Sequence, residues 1–211
     1  MIISHEHIKY AGRYQNRRIT NGAYFYSQEI VKYFIPNIET DRNWITINIP
    51  DVGCDHSIVF IHNNLHPELY DWLSRYKDLI LVCGVPETCG KVAHLGKAIY
   101  LPLSVKVSQI EKYAVKKTRE SCYVGRHSKR DGYSFPKETA FLEDLPRDIL
   151  LKNMAKFRRV YAIGRTAIEA KVLDCEILPF DKRFPDPDLW QVLDSMEAVS
   201  ILQKKLDEIE R

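Results

Sequence analysis

The stretch Val160 to Asp181 reads VYAIGRTAIEAKVLDCEILPFD. Val160 to Ile163 is a short apolar run of the buried-strand type. Gly164-Arg165-Thr166 breaks it, and Thr166 to Leu173 places apolar residues at helical spacing. Glu176 to Phe180 (EILPF) returns to strand. Strand, tight turn, helix and strand make one βα unit of a parallel sheet. The turn is also where chemistry is expected. The first N–H groups of a helix have no partner within it and carry partial positive charge. A glycine there lets a phosphate approach the backbone. Arg165 adds a guanidinium that fits paired phosphate oxygens. Thr166 can cap the helix or bind an oxygen. Glu169, about one turn on, can accept two hydrogen bonds from a vicinal diol such as ribose. An ordinary strand–turn–helix with a glycine, a cap and a surface glutamate is written with the same letters.

The same alternation extends upstream. Ser57 to Ile61 (SIVFI) and Leu79 to Cys83 (LILVC) are uninterrupted apolar runs, the signature of strands buried on both faces. Trp44 to Ile49 alternates and is β-branched. MIISH and Ala98 to Leu103 complete a first strand series, and Ser121 to Val124 opens a second. Helical patterns fall at Ala23 to Phe34, Pro67 to Tyr76, Glu87 to His94, Ser108 to Lys117 and Pro146 to Phe157. Phe141 to Leu145 reads as short strand or loop. Repeated βα units predict parallel sheets with helices on both faces. The polar, basic segment 104–118 separates the two series. The expected fold is therefore α/β, with two small Rossmann-like parallel-sheet halves, residues 1–107 and 108–211. Leu189 to Ile209 is expected to close the second half as one long amphipathic helix.

The chain has 211 residues, 45% hydrophobic and 28% charged, with a net charge of +3. That length holds one large or two small domains, and a core of this size needs no disulfide or metal staple. The small net charge is no argument for nucleic acid. The basic loop with Arg13, Arg17 and Arg18 beside Tyr10 and Tyr14 keeps a nucleic-acid partner open, against a plain solvated loop. No apolar run approaches a membrane span, and the N-terminus lacks the features of a signal peptide. A cytoplasmic protein is expected. Five cysteines without a framework suit a reducing compartment. Cys83, Cys89 and His94 match no zinc spacing, so buried free thiols are the expectation, and no metal site is assigned.

Gly-x-Thr-x-x-Glu-Ala at 164–170, followed by a short helix and an apolar strand, resembles the nucleotide-sugar site of GT-B glycosyltransferases. CYVGRHSKRDG resembles the strand ending in Val-Gly-Arg, followed by a Lys, that opens their C-terminal domain. The resemblance implies two facing Rossmann-like domains with the active site between them. It implies that Gly164, Arg165 and Thr166 hold the donor diphosphate, that Glu169 contacts the ribose, and that Arg126 and Lys129 neutralise the phosphates. SIVFIHNN resembles the acceptor-side strand that ends in histidine, which makes His62 the catalytic candidate, with Asp55 and His56 behind it. The first of the family's paired glutamates falls at Tyr161. The function implied is metal-independent transfer of a sugar from a nucleotide-sugar donor, with cationic side chains in place of a metal ion and no other cofactor. The alternative is a non-catalytic relative that binds or assembles, and its terminal helix could form a homodimer seam or pack back onto the Rossmann-like halves.

Overall fold

The two uninterrupted apolar runs become adjacent central strands with every residue buried. The computed structural model describes residues 2–3, 22–46, 55–61, 67–127 and 130–211. In the first unit, β1 (Ile2–Ile3), β2 (Asn43–Thr46), β3 (Ser57–Ile61), β4 (Leu79–Cys83) and β5 (Lys97–Tyr100) form one parallel sheet in that order. Parallel neighbours in register point the same way, so Ile45, Val59, Leu81 and Ala98 share one face. That face is covered by Leu69, Trp72 and Leu73 of α2 (Pro67–Leu73) and by Val92 of α3 (Pro86–Val92). Trp44 and Phe60 lie on the other face. Trp44 stacks on Phe60, and Tyr26 and Phe34 meet the Phe60 ring edge-on. Tyr26 belongs to α1 (Gly22–Glu29), and Phe34 ends the π-type turn Ile30–Phe34 that continues it. Helices thus cover both faces, as the alternation predicts.

The terminal helix α7 (Ser195–Glu210) belongs to this first unit, whose other residues run to Leu103. This corrects its expected place in the second half. Chain order suggested that placement, but the apolar stripe decides it: Ala198, Val199, Leu202 and Leu206 are buried. Polar contacts add to the attachment. The backbone N–H of Glu39 donates to Gln203 at 2.8 Å, and Lys205 Nζ donates to the Tyr100 carbonyl at 3.2 Å. The Ser195 hydroxyl donates to buried Glu29. Of the two fates open to this stripe, a homodimer seam or packing back onto the chain, these residues follow the second. Helix α7 also starts at Ser195, not Leu189. Pro187 sets a 3₁₀ turn through Leu189, and Asp186 caps that turn.

At the amino ends of the strands, Arg42 Nε donates to Glu210 at 2.7 Å. The terminal nitrogens of Arg42 donate to the Asp78 carbonyl and carboxylate at 2.9 and 3.1 Å. His56 Nδ1 lies 2.6 Å from the second Asp78 oxygen, and its Nε2 lies 3.2 Å from Asp41. The hydrogen bond to Asp78, then the one to Asp41, raises the His56 pKa, and the same pair lowers that of Asp78. The raised histidine stabilises the fold fully below its unfolded value, about 6.5, and this is lost as pH rises through the folded value. The lowered Asp78 stabilises above about pH 4 and loses this as pH falls through its folded value. The melting temperature is expected to decline from about pH 6 to about pH 8. His56→Asn should flatten that decline, because asparagine tolerates the φ of 55° found at this position. An equal slope in both proteins, followed by circular dichroism, would exclude the histidine as its source.

The second unit spans Ser104–Asp194 among the described residues. Its strands are β6 (Arg119–Gly125), β7 (Ala140–Glu143), β8 (Phe157–Tyr161) and β9 (Glu176–Leu178), all parallel, in the order β7-β6-β8-β9. Phe141, Tyr123 and Tyr161 are paired in register and share a face. Phe135 of the segment after β6 packs within 6 Å of all three rings and of Phe180. Among the described residues between β6 and β7 there is no α-helix, the usual crossover, and Phe135 packs against the sheet there. The helices α4 (Val107–Glu111), α5 (Arg147–Met154) and α6 (Arg165–Val172) complete the unit. Cys83, Cys122 and Cys175 are free and buried, in line with the thiol expectation, while Cys89 is half-buried.

Candidate functional site

Parallel α/β sheets take ligands outside the carboxyl ends of the strands, at the point where the strand order reverses. The described strands of the first sheet run in sequence order, with no reversal. In the second sheet the chain steps from β6 to β7 on one side and returns to β8 on the other. The reversal therefore lies between the carboxyl ends of β6 and β8. Both segments that carry the GT-B resemblance begin there.

After β8 the chain runs Ala162, Ile163, Gly164 and enters α6. Gly164 is the N-cap, with φ 63° and ψ −142°. This backbone is open to glycine and costly for any residue with a Cβ. The Gly164 carbonyl accepts the Ala167 N–H at 3.0 Å, which starts the helix. Of the two roles open to Thr166, a cap or an oxygen ligand, the cap is taken by Gly164, and Thr166 stands half-buried inside the first turn. The glycine holds the cap position, so no side chain there occupies the first amides.

Arg165 and Glu169 do not line an open surface. Their relative exposures are 4% and 1%. Arg165 Nε donates to Glu169 Oε1 at 2.8 Å, and Arg147 Nη1 donates to the same oxygen at 2.5 Å. Arg165 Nη1 also lies 3.4 Å from the Ser104 carbonyl. Glu169 thus serves as the anion between two guanidiniums of α5 and α6. The spacing of i and i+4 on one helix face could have suggested Arg165–Glu169 from sequence. Arg147 lies 22 residues away, and no local pattern points to it.

On the β6 side, Gly125 ends the strand, and a Cβ there would collide with the Tyr123 hydroxyl. That hydroxyl donates to the Arg126 carbonyl at 3.2 Å and holds the turn. Arg126 is half-buried. His62 and Lys129 lie outside the described residues, as do Arg13, Arg17 and Arg18. Asp55 and His56 stand at the amino end of β3, the end of a parallel strand that ligands do not use. Asp55 Oδ1 accepts the Lys77 N–H at 2.7 Å, and His56 is held by Asp78 and Asp41.

Four residues missed by the sequence reading gather at the carboxyl ends of β6 and β7. His127 Nδ1 lies 3.0 Å from Glu143 Oε2, and the His127 N–H donates to Asp144 at 3.3 Å. Arg130 Nε lies 3.4 Å from Glu143 Oε1. Its guanidinium also sits 4.5 Å from the centre of the Phe141 ring. The sequence reading of this segment singled out Arg126 and Lys129 and gave His127 and Arg130 no role. The partner of His127 becomes visible only when β7 pairs with β6.

The expectation of a metal-independent reaction rested on the absence of an Asp-x-Asp motif, but Asp186-Pro187-Asp188 is such a triplet. Asp186 accepts the Asp188 N–H at 2.8 Å as a turn cap, and Asp188 Oδ1 lies 3.8 Å from Lys171. Among the described residues no group of three His, Cys, Asp or Glu side chains is placed to hold a metal ion, and no helix is long and apolar enough to cross a membrane. Comparison with protein-family models, with curated proteins and with solved structures gives no match.

Proposed function

We propose that the second unit binds the diphosphate of a nucleotide sugar, and that the protein is a glycosyltransferase of GT-B type acting without a metal ion. One observation carries this reading. The glycine-capped start of α6 and the Gly125-Arg126 turn stand at the ends of the two strands that border the order reversal. The positive end of the α6 dipole favours an anion. The Arg126 side chain supplies a delocalised cation that matches phosphate geometry. Charge that develops on the leaving diphosphate during sugar transfer would be met by these fixed groups. The acceptor and the sugar are open in this reading.

The test is calorimetric titration of the full chain with UDP- and GDP-sugars. Binding is expected, and Arg126→Ala should weaken it about tenfold or more, the value of a charge-assisted phosphate contact. No binding by any of these donors would overturn the reading. A second reading, a protein that binds the donor without transferring its sugar, is favoured by Glu169. Its carboxylate is engaged by two arginines, which leaves the ribose without the contact that the resemblance implies. Donor binding with no release of free nucleotide would decide for that second reading.

A further inference from the structure

Beyond β9 the chain runs Pro179-Phe180-Asp181-Lys182-Arg183. Strand β9 pairs in register with β8, the strand that feeds α6, so this turn leaves the same end of the sheet, one strand spacing to the side. The Asp181 side chain is buried, at 3% exposure, whereas that of Arg183 is exposed at 57%. Arg183 Nε donates to Asp181 Oδ1 at 3.0 Å, and Nη2 donates to Oδ2 at 2.6 Å. The Arg183 backbone N–H donates to the same Oδ1 at 3.0 Å. A forked pair with a buried carboxylate fixes the plane of the guanidinium. It uses Nε and one Nη2 proton. The next edge, formed by Nη1 and the second Nη2 proton, meets no acceptor among the described residues. Two parallel N–H donors therefore stand ready on a fixed frame.

Aromatic rings flank this frame. Tyr133 borders the same Asp181 carboxylate. Its ring meets that of Phe180 edge to face, with centroids 5.2 Å apart, and both rings are half-buried. The space beside the preceding Gly132 is open, since a Cβ there would have no atom within 4 Å. A flat ligand with two adjacent acceptors suits a locked guanidinium beside partly exposed rings. Asp181 offsets the charge of Arg183, so the free edge selects by direction more than by charge, and an anion gains little from it. Among the nucleobases, guanine presents two adjacent acceptors, O6 and N7. Adenine sets an amino donor beside N7, cytosine presents an amino donor, and uracil offers O4 alone.

We propose that the second unit takes a guanosine diphosphate sugar, with Arg183 reading O6 and N7 of the base and Asp181 as a positioning residue. Tyr133 and Phe180 form the shelf beside the base. This rests on the reading of the second unit as a nucleotide-sugar site and adds the identity of the base. Aromatic rings accept any base, so they supply affinity, and the arginine supplies the choice.

Calorimetry of the full chain with GDP-mannose, ADP-glucose and UDP-glucose tests this. The wild type should bind GDP-mannose about tenfold or more tightly than the other two, the discrimination of one bidentate base contact. Arg183→Lys keeps a cation for Asp181 but has no fork, and should bind the three sugars alike. Inosine diphosphate keeps O6 and N7, so the wild type should bind it as tightly as GDP and ADP about tenfold more weakly. This last comparison needs no variant and decides by itself if circular dichroism shows that Arg183→Lys has lost its fold. Equal wild-type affinity for the three sugars overturns this proposal and leaves the nucleotide reading standing. So does a guanine preference that survives in Arg183→Lys, which would place the base elsewhere. So does an equal loss by Arg183→Lys for all three sugars and for inorganic pyrophosphate, which would make Arg183 a phosphate ligand. No binding of any of these nucleotides by the wild type overturns both readings.

Discussion

Glu169→Gln is expected to destabilise the protein by about 3–5 kcal/mol, because it leaves two buried or half-buried guanidiniums without their anion. Arg165 and Glu169 are nearly sealed from solvent, so water cannot replace the lost charge. Arg147 is partly exposed and can recover some hydration, which places the loss toward the lower end. The amide of Gln keeps the shape and one acceptor, so the effect reports the charge more than the packing. Chemical denaturation of the single variant gives the number. A loss below about 1 kcal/mol would show that the triad is solvated in solution, as exposed pairs are. The double variant Arg147→Met, Glu169→Met offers a second readout. It removes one positive and one negative group and should cost less than the sum of the single substitutions. The result also bears on function. A Glu169 variant that fails to bind nucleotide cannot be read as a lost ribose contact unless its fold is intact. Arg126 therefore serves better for the binding test.

The fold was legible where the chain is apolar without interruption. SIVFI and LILVC specify buried strands because a run of four or five apolar residues bounded by turns has few other uses. The βα alternation then set parallel pairing. The terminal helix was legible as a helix, since its apolar residues repeat at helical spacing, but not in its placement. An amphipathic stripe says that a helix must be covered and does not say by which residues. Its start was misread as Leu189 because Trp190 and Leu193 extend the apolar pattern, although Pro187 sets a separate turn.

The candidate site was legible to the extent that it is local. Gly164 is local: it stands between a strand and a helix, where its positive φ is one that other residues avoid. The fates of Glu169 and His127 are not local. Each is decided by a partner on another element, Arg147 for the first and Glu143 for the second. The same chemistry that suits a glutamate to ribose suits it to an arginine, and sequence spacing cannot say which arrives. Strand order likewise depends on how the chain crosses back over β6, and that reversal is what marks one end of this sheet for a ligand.

Lys117→Met is expected to cost about 3 kcal/mol, a large effect for a residue outside any strand or helix. Its ammonium donates to the Ala155 carbonyl at 3.0 Å and to the Leu173 carbonyl. These residues close α5 and α6 respectively. One cation thus satisfies the orphan carbonyls of two helices and sits at the negative end of both dipoles. Hydrogen bonds from a charged donor contribute about 1.5–3 kcal/mol each, and a partly buried dipole contact adds up to about 2. The desolvation cost of the ammonium offsets part of this sum. The third contact is with Cys175 Sγ at 3.1 Å. Burial raises the Cys175 pKa, and the Lys117 hydrogen bond and charge oppose that rise. Removing the ammonium should therefore leave the thiol harder to ionise. Methionine keeps the stem and its packing, so the loss isolates the charge. Urea unfolding measures the stability change, and amide hydrogen exchange at Leu173 and Asp174 localises it, since fraying of the last turn of α6 should begin there. A loss under about 1 kcal/mol, with exchange at those amides unchanged, would mean that water or another side chain caps both helices in place of the lysine.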